Sequence, residues 1–372
     1  MQVKFLDLRA AYESIQPEIE TAVLESLRSG YYIGGPDVER FETAFAAYCG
    51  VNHCIGVANG LEALQLALAA MDIGAGDEVI VPSNTFIATW LAVSQRGAVC
   101  VPVEPDPATY NIDHGRIEAA ITPRTRAIIP VHLYGQPADL APIHKLARRH
   151  SLVVVEDAAQ AQGAKSEGRR IGGHSELCTW SFYPGKNLGA LGDAGAITTN
   201  DPAHAARLRL LRNYGSPVRY KHDERGFNSR LDPVQAAALR VKLDHLDSWN
   251  QRRAAIAAIY QAEFAGLDLV LPKVLPGVMP VWHLYCVRHA KRDRLSARLA
   301  DAGVETLVHY PVPPHLQGAY AALGMAKGSF PIAEELSESV LSLPIDPLMS
   351  DEQVAYVVKA VRDNVRALSD DS

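Results

Sequence analysis

From residue 55 onward, short runs of β-branched apolar residues alternate with segments whose apolar positions recur at helical spacing. The runs Glu78–Pro82, Val99–Val103, 126–132, 152–156 and 179–183 carry almost no polar alternation, which predicts strands buried on both faces. Residues 62–71 predict a helix with a broad apolar face that includes Leu64, Leu66 and Leu68. A second helix is expected over 85–95, capped by Ser83, and a third up to His150, capped by Asp139. The basic residues at the end of that third helix suit its negative C-terminal end. Strand–helix alternation implies parallel pairing with crossovers, so the expected fold is α/β, with a mostly parallel central sheet flanked by helices. Such sheets bind ligands beyond the carboxyl ends of their strands. That rule directs attention to residues 84–86, 132–134, 157–160 and 183–186.

Further on, residues 231–249 and 252–264 predict two helices, and the polar stretch 249–253 between them reads as a hinge. A strand over 283–288, a helix over 292–302, a Pro-rich loop at 309–314 and two more helices complete an α+β pattern. The division expected is a large domain over 1–250 and a smaller C-terminal domain over 251–372. A chain of 372 residues has length enough for both.

Composition changes this picture little. The chain is 48% apolar and 21% charged, with a net charge of −6, which points away from nucleic acid and from anionic membranes as partners. No apolar run approaches the roughly 18 residues that span a bilayer. Five scattered cysteines with no C-x-x-C pair read as reduced and buried, in a cytoplasmic protein without a metal site.

The chemistry lies at two of the strand ends. Lys186 sits in Ser181-Phe-Tyr-Pro-Gly-Lys186-Asn, a glycine-rich turn after an apolar strand. A phosphate loop would need glycine where Trp180 stands and Ser or Thr where Asn187 stands, so that reading fails. A surface lysine in a flexible loop remains open. Asp157 ends Val153-Val-Val-Glu-Asp157-Ala-Ala-Gln160, where a partly buried carboxylate needs a cation. An arginine partner or a capping role would also satisfy it. Together, a carboxylate and a lysine about 30 residues apart at the ligand edge fit pyridoxal phosphate: the lysine bonds the aldehyde and the carboxylate faces the ring nitrogen. Gln160, one helical turn past Asp157, is placed to reach the ring hydroxyl.

Glu-Asp157-Ala-Ala-Gln160-Ala, Ser181-Phe-Tyr-Pro-Gly-Lys186-Asn and Gly226-Phe-Asn228-Ser-Arg-Leu-Asp232 resemble motifs of the DegT-type (DegT/DnrJ/StrS) nucleotide-sugar aminotransferases, enzymes of pyridoxal-phosphate fold type I. The resemblance runs over nearly the whole chain, through Gly30-Tyr-Tyr-Ile-Gly-Gly-Pro36, Asn59-Gly-Leu-Glu-Ala-Leu64 and Pro82-Ser-Asn-Thr-Phe-Ile-Ala-Thr89. It implies pyridoxal 5′-phosphate as cofactor, with pyridoxamine phosphate as its intermediate form. Lys186 matches the family's Schiff-base lysine, Asp157 the partner of the ring nitrogen, Gln160 that of the ring hydroxyl and Phe86 the stacking aromatic. Ser181 and the backbone amides of Gly60 and Leu61 match phosphate contacts, as a helix N-terminus suits phosphate. Asn228 matches a phosphate contact from the neighbouring subunit, which implies a homodimer with sites at its interface. Many relatives carry Thr or Ser where Leu61 stands, so only its backbone can serve there.

The stretches 82–90 and 132–136 look most like the branch that aminates dTDP-linked 3-keto-6-deoxyhexoses with L-glutamate as donor, giving a dTDP-3-amino-3,6-dideoxyhexose and 2-oxoglutarate. Candidate substrate contacts are Tyr183, His309, Tyr310, His315, Arg219, Tyr220, Tyr31 and Tyr32. Three rivals stand beside this reading: amination at carbon 4, a pyridoxal-phosphate-binding regulator that never turns over, and a dehydratase. Dehydratase relatives place histidine where Lys186 stands, which argues against the last.

Overall fold

The computed structural model describes residues 1–370, the side chain of residue 370 excepted. Twelve strands follow one another along these residues: β1 (His53–Val57), β2 (Glu78–Pro82), β3 (Val99–Val103), β4 (Thr125–Ile128), β5 (Val153–Asp157), β6 (Lys165–Ser166), β7 (Arg169–Arg170), β8 (Leu177–Ser181), β9 (Gly195–Thr199), β10 (Val278–Met279), β11 (Tyr285–Arg288) and β12 (Val340–Leu343). Seven of them form the central sheet, in the order β1-β9-β8-β5-β4-β2-β3. Strands β3, β2, β4, β5 and β8 are parallel, and β9 runs against both β8 and β1. The mostly parallel sheet flanked by helices agrees with the expectation from the alternating pattern.

Element ends move by one to four residues, for local reasons. The helix expected from Glu62 begins at Gly60, because the Asn59 side chain accepts from the Glu62 amide at 2.9 Å and caps it. The helix after β2 is Ile87–Gln95 and starts two residues late. Its expected cap, Ser83, donates instead to the buried Glu104 carboxylate at 3.0 Å. Asp139 precedes the helix Leu140–His150 without a side-chain capping bond; it lies 3.5 Å from His114. Strand β4 stops at Ile128, two residues before Pro130.

The larger correction concerns residues 249–253. No hinge lies there: one helix, Pro233–Glu263, runs through unbroken. Proline at its first position and the absence of Gly and Pro from 234 to 263 leave nothing to break it. The boundary expected after residue 250 therefore falls inside a helix. Its first half packs Ala236, Leu239 and Leu246 into a core with Phe41, Phe45 and Trp180. Its second half packs Ile256, Ala257 and Tyr260 into another core with β11, β12 and the final helix, Asp351–Asp370. Val3 lies in that second core too and pairs with Val304, so the N-terminus crosses to the C-terminal part. Among the described residues no helix is long and apolar enough to cross a membrane. The five cysteines are free and buried.

Candidate active site

Strands β5 and β8 are neighbours, and their carboxyl ends deliver Asp157 and Ser181 to one edge of the sheet. The chain then turns at Tyr183, whose carbonyl accepts from the Lys186 amide at 2.8 Å, and this turn brings Lys186 back over the same edge. Asp157, Gln160, Ser181, Lys186, Phe86 and the Gly60–Leu61 backbone line a single cavity of about 460 Å³. A second cavity, of about 580 Å³, adjoins it, and Lys186, Tyr183 and Tyr310 line both.

Asp157 is only 5% exposed. Its carboxylate accepts from the Thr89 hydroxyl at 2.9 Å and from the Ala159 amide at 3.1 Å. Burial still lifts its pKa above the ordinary carboxylate value, against the lowering effect of those two bonds and of the Lys186 charge. The site thus holds a fixed carboxylate that a cation in the cavity would stabilise. Lys186 shows the converse. Desolvation lowers its amine to about 8, opposed by the attraction of Asp157. An appreciable fraction is therefore neutral near physiological pH, as a group that accepts protons from carbon requires.

Gly60 opens the helix Gly60–Ala70 directly against the end of β8. A Cβ on Gly60 would lie 2.6 Å from the Ser181 Cβ, so this approach needs glycine. The amides of Gly60 and Leu61 have no acceptor within the helix, and an anion is favoured there by the helix dipole. Phe86 is 51% exposed, unusual for an apolar ring, and lies 5.2 Å from the Tyr310 ring, tilted by 39°. Gln160 accepts from the Tyr134 amide at 2.6 Å and donates to the Tyr310 hydroxyl at 3.0 Å. It bridges the sheet edge to the loop around residue 310.

The remaining candidates divide. Tyr183, His309 and Tyr310 face the cavities. His315 does not, and its candidacy as a substrate contact is corrected. It is 2% exposed, lies 3.0 Å from the Glu334 carboxylate and packs against Phe330. The short turn Pro314–Leu316 rotates it away from His309 and Tyr310. Asn228, Arg219, Tyr220, Tyr31 and Tyr32 are exposed and line neither cavity within one chain.

Sequence reasoning passed over four groups. Thr89, one turn after Phe86, fixes Asp157. His132 is wholly buried, 2.9 Å from the equally buried Glu156, with its Nδ1 accepting from the Ala138 amide. Asn187 donates to the Val281 carbonyl at 2.9 Å and to Asn250 at 2.8 Å, and its Oδ1 lies 3.1 Å from His283 Nδ1. This network anchors the Lys186 turn to the long helix. The fourth group, Arg253, lines the second cavity. Thr89, His132 and Asn187 stood in stretches already singled out, but their partners lie far off in sequence; Arg253 stood in the stretch read as a hinge.

Comparison with known proteins places this geometry. The model of the DegT/DnrJ/EryC1/StrS aminotransferase family matches residues 13–362. A Saccharopolyspora erythraea protein named erythromycin biosynthesis sensory transduction protein EryC1 is 54% identical over 363 residues, covering 97% of this chain and 99% of that one. The dTDP-3-amino-3,4,6-trideoxy-alpha-D-glucose transaminase of Streptomyces venezuelae is also 54% identical, over 97% of this chain and 96% of its own. The dTDP-3-amino-3,6-dideoxy-alpha-D-galactopyranose transaminase of Aneurinibacillus thermoaerophilus is 52% identical, over 96% and 98%. Among solved structures, S. venezuelae DesV superposes with a TM-score of 0.97 at 54% identity, over 98% of both chains. Bacillus subtilis NtdA, solved with bound cofactor PMP, has a TM-score of 0.92 at 32% identity, over 98% of this chain and 85% of that one.

Proposed function

Because the chain belongs to the DegT/DnrJ/EryC1/StrS aminotransferase family, we propose that it transfers the amino group of L-glutamate to a dTDP-linked 3-keto-6-deoxyhexose, using pyridoxal 5′-phosphate. The products are a dTDP-3-amino-3,6-dideoxyhexose and 2-oxoglutarate. The observation that carries this reading is the convergence of Lys186 and Asp157, from the ends of adjacent strands, on one cavity. The choice of carbon 3 is supported by two relatives named as 3-amino-sugar transaminases, each more than half identical to this chain.

The residues present fit the cofactor. Asp157 is a buried carboxylate in need of a cation, which the protonated ring nitrogen supplies. Phe86 offers an exposed ring face, and Gly60, Leu61 and Ser181 form a cradle at a helix N-terminus for the phosphate. Gln160 has a second amide hydrogen for the ring hydroxyl beside the one given to Tyr310. When bound, pyridoxal phosphate supplies an electrophilic carbon and an electron sink.

The chain's own residues do the rest. Lys186, with its amine lowered to about 8, takes a proton from the donor's α-carbon and returns one to the product. Thr89 and the Ala159 amide fix the Asp157 carboxylate and oppose the effect of its burial, so that it would face the ring nitrogen of a bound cofactor. Tyr183, His309 and Tyr310 line the space beside Lys186 and orient the sugar. Asn228, Arg219 and Tyr220, unused within one chain, complete the cavity of a second copy, so that the working unit is a homodimer. Arg219 suits the diphosphate because its guanidinium presents paired donors. Residues before 250 supply the groups that would hold the cofactor, and His309 and Tyr310 from the C-terminal part face them across the cavities. Five buried, unpaired thiols accord with a cytoplasmic setting.

The test is 2-oxoglutarate release from glutamate, with dTDP-4-keto-6-deoxyglucose supplied alone or with a 3,4-ketoisomerase. Release only with the isomerase is expected; release without it would move amination to carbon 4. The S. erythraea relative's name raises a regulatory reading. A regulator that never turns over would show no glutamate-dependent loss of the bound cofactor's visible absorbance.

A further inference from the structure

We infer that Arg253 is the seat for a carboxylate of the amino donor. This rests on the aminotransferase reading and adds a donor-binding residue to it. Arg253 stands on the unbroken part of the helix Pro233–Glu263 and lines the cavity that also holds Lys186, Tyr183, His309 and Tyr310. It is 5% exposed. Its Nη1 donates to the Ile345 carbonyl at 2.6 Å, and its Nε has no partner. Among the described residues no carboxylate lies within 4.0 Å of it. The nearest acidic influence is Asp346, whose oxygens accept from the amides of Asp7 and Leu348, each at 2.8 Å. Burial lowers the guanidinium to about 10, against the attraction of Asp346. A buried guanidinium with five donors and one acceptor is an expensive arrangement in isolation. A carboxylate, which meets the guanidinium fork with two parallel bonds, offsets that cost.

The surroundings narrow the ligand. Burial, then the nearby charges of Lys186, Arg253 and His309, drives His283 well below its ordinary value. Burial, then Lys186, lowers His309 to about 4. Both imidazoles are neutral at neutral pH, so Arg253 and Lys186 are the cations of this cavity wall among the described residues. One guanidinium matches one carboxylate. A diphosphate would crowd at least two negative charges against Arg253 and Glu305, which also lines the cavity, whereas glutamate carries its two carboxylates at opposite ends of its chain. Connectivity points the same way. An α-amino acid carries its α-carboxylate on the carbon that must approach Lys186, whereas the sugar's diphosphate is separated from its keto carbon by the hexose ring.

The test uses Arg253→Gln and Arg253→Lys, each checked by thermal melting. With cofactor-free protein, calorimetry with glutarate as probe should show binding to the wild type and at least about tenfold weaker binding to Arg253→Gln. In the holoenzyme, the glutamate KM should rise about 30-fold or more in Arg253→Gln, with the keto-sugar KM within about threefold of wild type. Arg253→Lys keeps the charge and loses the fork, so it should fall between; it carries the test if the Gln variant fails to fold. An unchanged glutamate KM in a folded variant overturns the inference, and a raised sugar KM alone reassigns Arg253 to the diphosphate. A wild type that releases no 2-oxoglutarate overturns the aminotransferase reading instead, and glutarate binding then still decides whether Arg253 holds a carboxylate.

Discussion

The two walls of the site are built differently. On the sheet side, Asp157, Gln160 and Ser181 stand at or just past strand ends, and their polar atoms are fixed by short local bonds such as Thr89 to Asp157 at 2.9 Å. On the opposite side, Arg253, His283, His309 and Tyr310 come from the long helix and two segments after it, and Arg253 leaves polar capacity unused at Nε. The sheet wall resembles a finished socket for one invariant ligand. The far wall resembles an adjustable surface that meets whichever substrate is present. Preorganisation is worth most where the same group binds in every cycle, and a two-substrate enzyme can fix only one side of its site in this way.

If that contrast is right, damage to the sheet wall should be severe and damage to the far wall graded. The largest effect is expected for Lys186→Ala, which removes the proton carrier: turnover should fall by about 10³-fold or more, measured as 2-oxoglutarate release. Normal turnover would break the comparison outright.

Asp157→Asn should lower kcat by about 10²-fold, since the carboxylate no longer holds the ring-nitrogen proton. It also has a stability signature with a definite sign. Burial raises the folded-state pKa of Asp157 above its unfolded value, so its ionised form is penalised in the fold. That penalty is absent below the ordinary carboxylate pKa and grows as pH rises through the carboxyl range. Cofactor-free Asp157→Asn should therefore melt above cofactor-free wild type at pH 7, and the gap should close toward pH 4. A variant less stable at pH 7 would mean that the Thr89 and Ala159 bonds outweigh desolvation.

The smallest effect is expected on the far wall. Tyr310→Phe removes one hydroxyl partner of Gln160 and should cost about 1 kcal/mol of stability, with kcat and KM within about tenfold of wild type. A loss as large as that of Asp157→Asn would show that the far wall is as preorganised as the sheet.

The same contrast explains what could be read from the chain. The order of buried strands and the polar residues that follow them are local patterns, so the parallel sheet, Lys186, Asp157 and Gln160 were all legible. A strand buried on both faces must end before its chain can turn polar, and that rule marks the ligand edge. The far wall has no such rule. His309, Tyr310 and His315 lie within seven residues of one another, yet the first two face the cavities and the third packs against Glu334 and Phe330. The polar stretch 249–253 read as a hinge because its composition resembles a linker. In the fold it is helix, held by contacts such as Asn250 to the Gln162 carbonyl at 2.9 Å.

By itself, then, the sequence determined the α/β architecture, the lysine–aspartate pair and, through motif resemblance, the chemistry they serve. Only the tertiary structure decided that the helix continues past Trp249 and that its next buried turn carries Arg253 into the space beside Lys186. The physical reason is one of range. Period and strand end are set by neighbours a few residues apart. Which face of a helix meets a cavity is set by packing against two cores whose residues come from segments far apart in the chain.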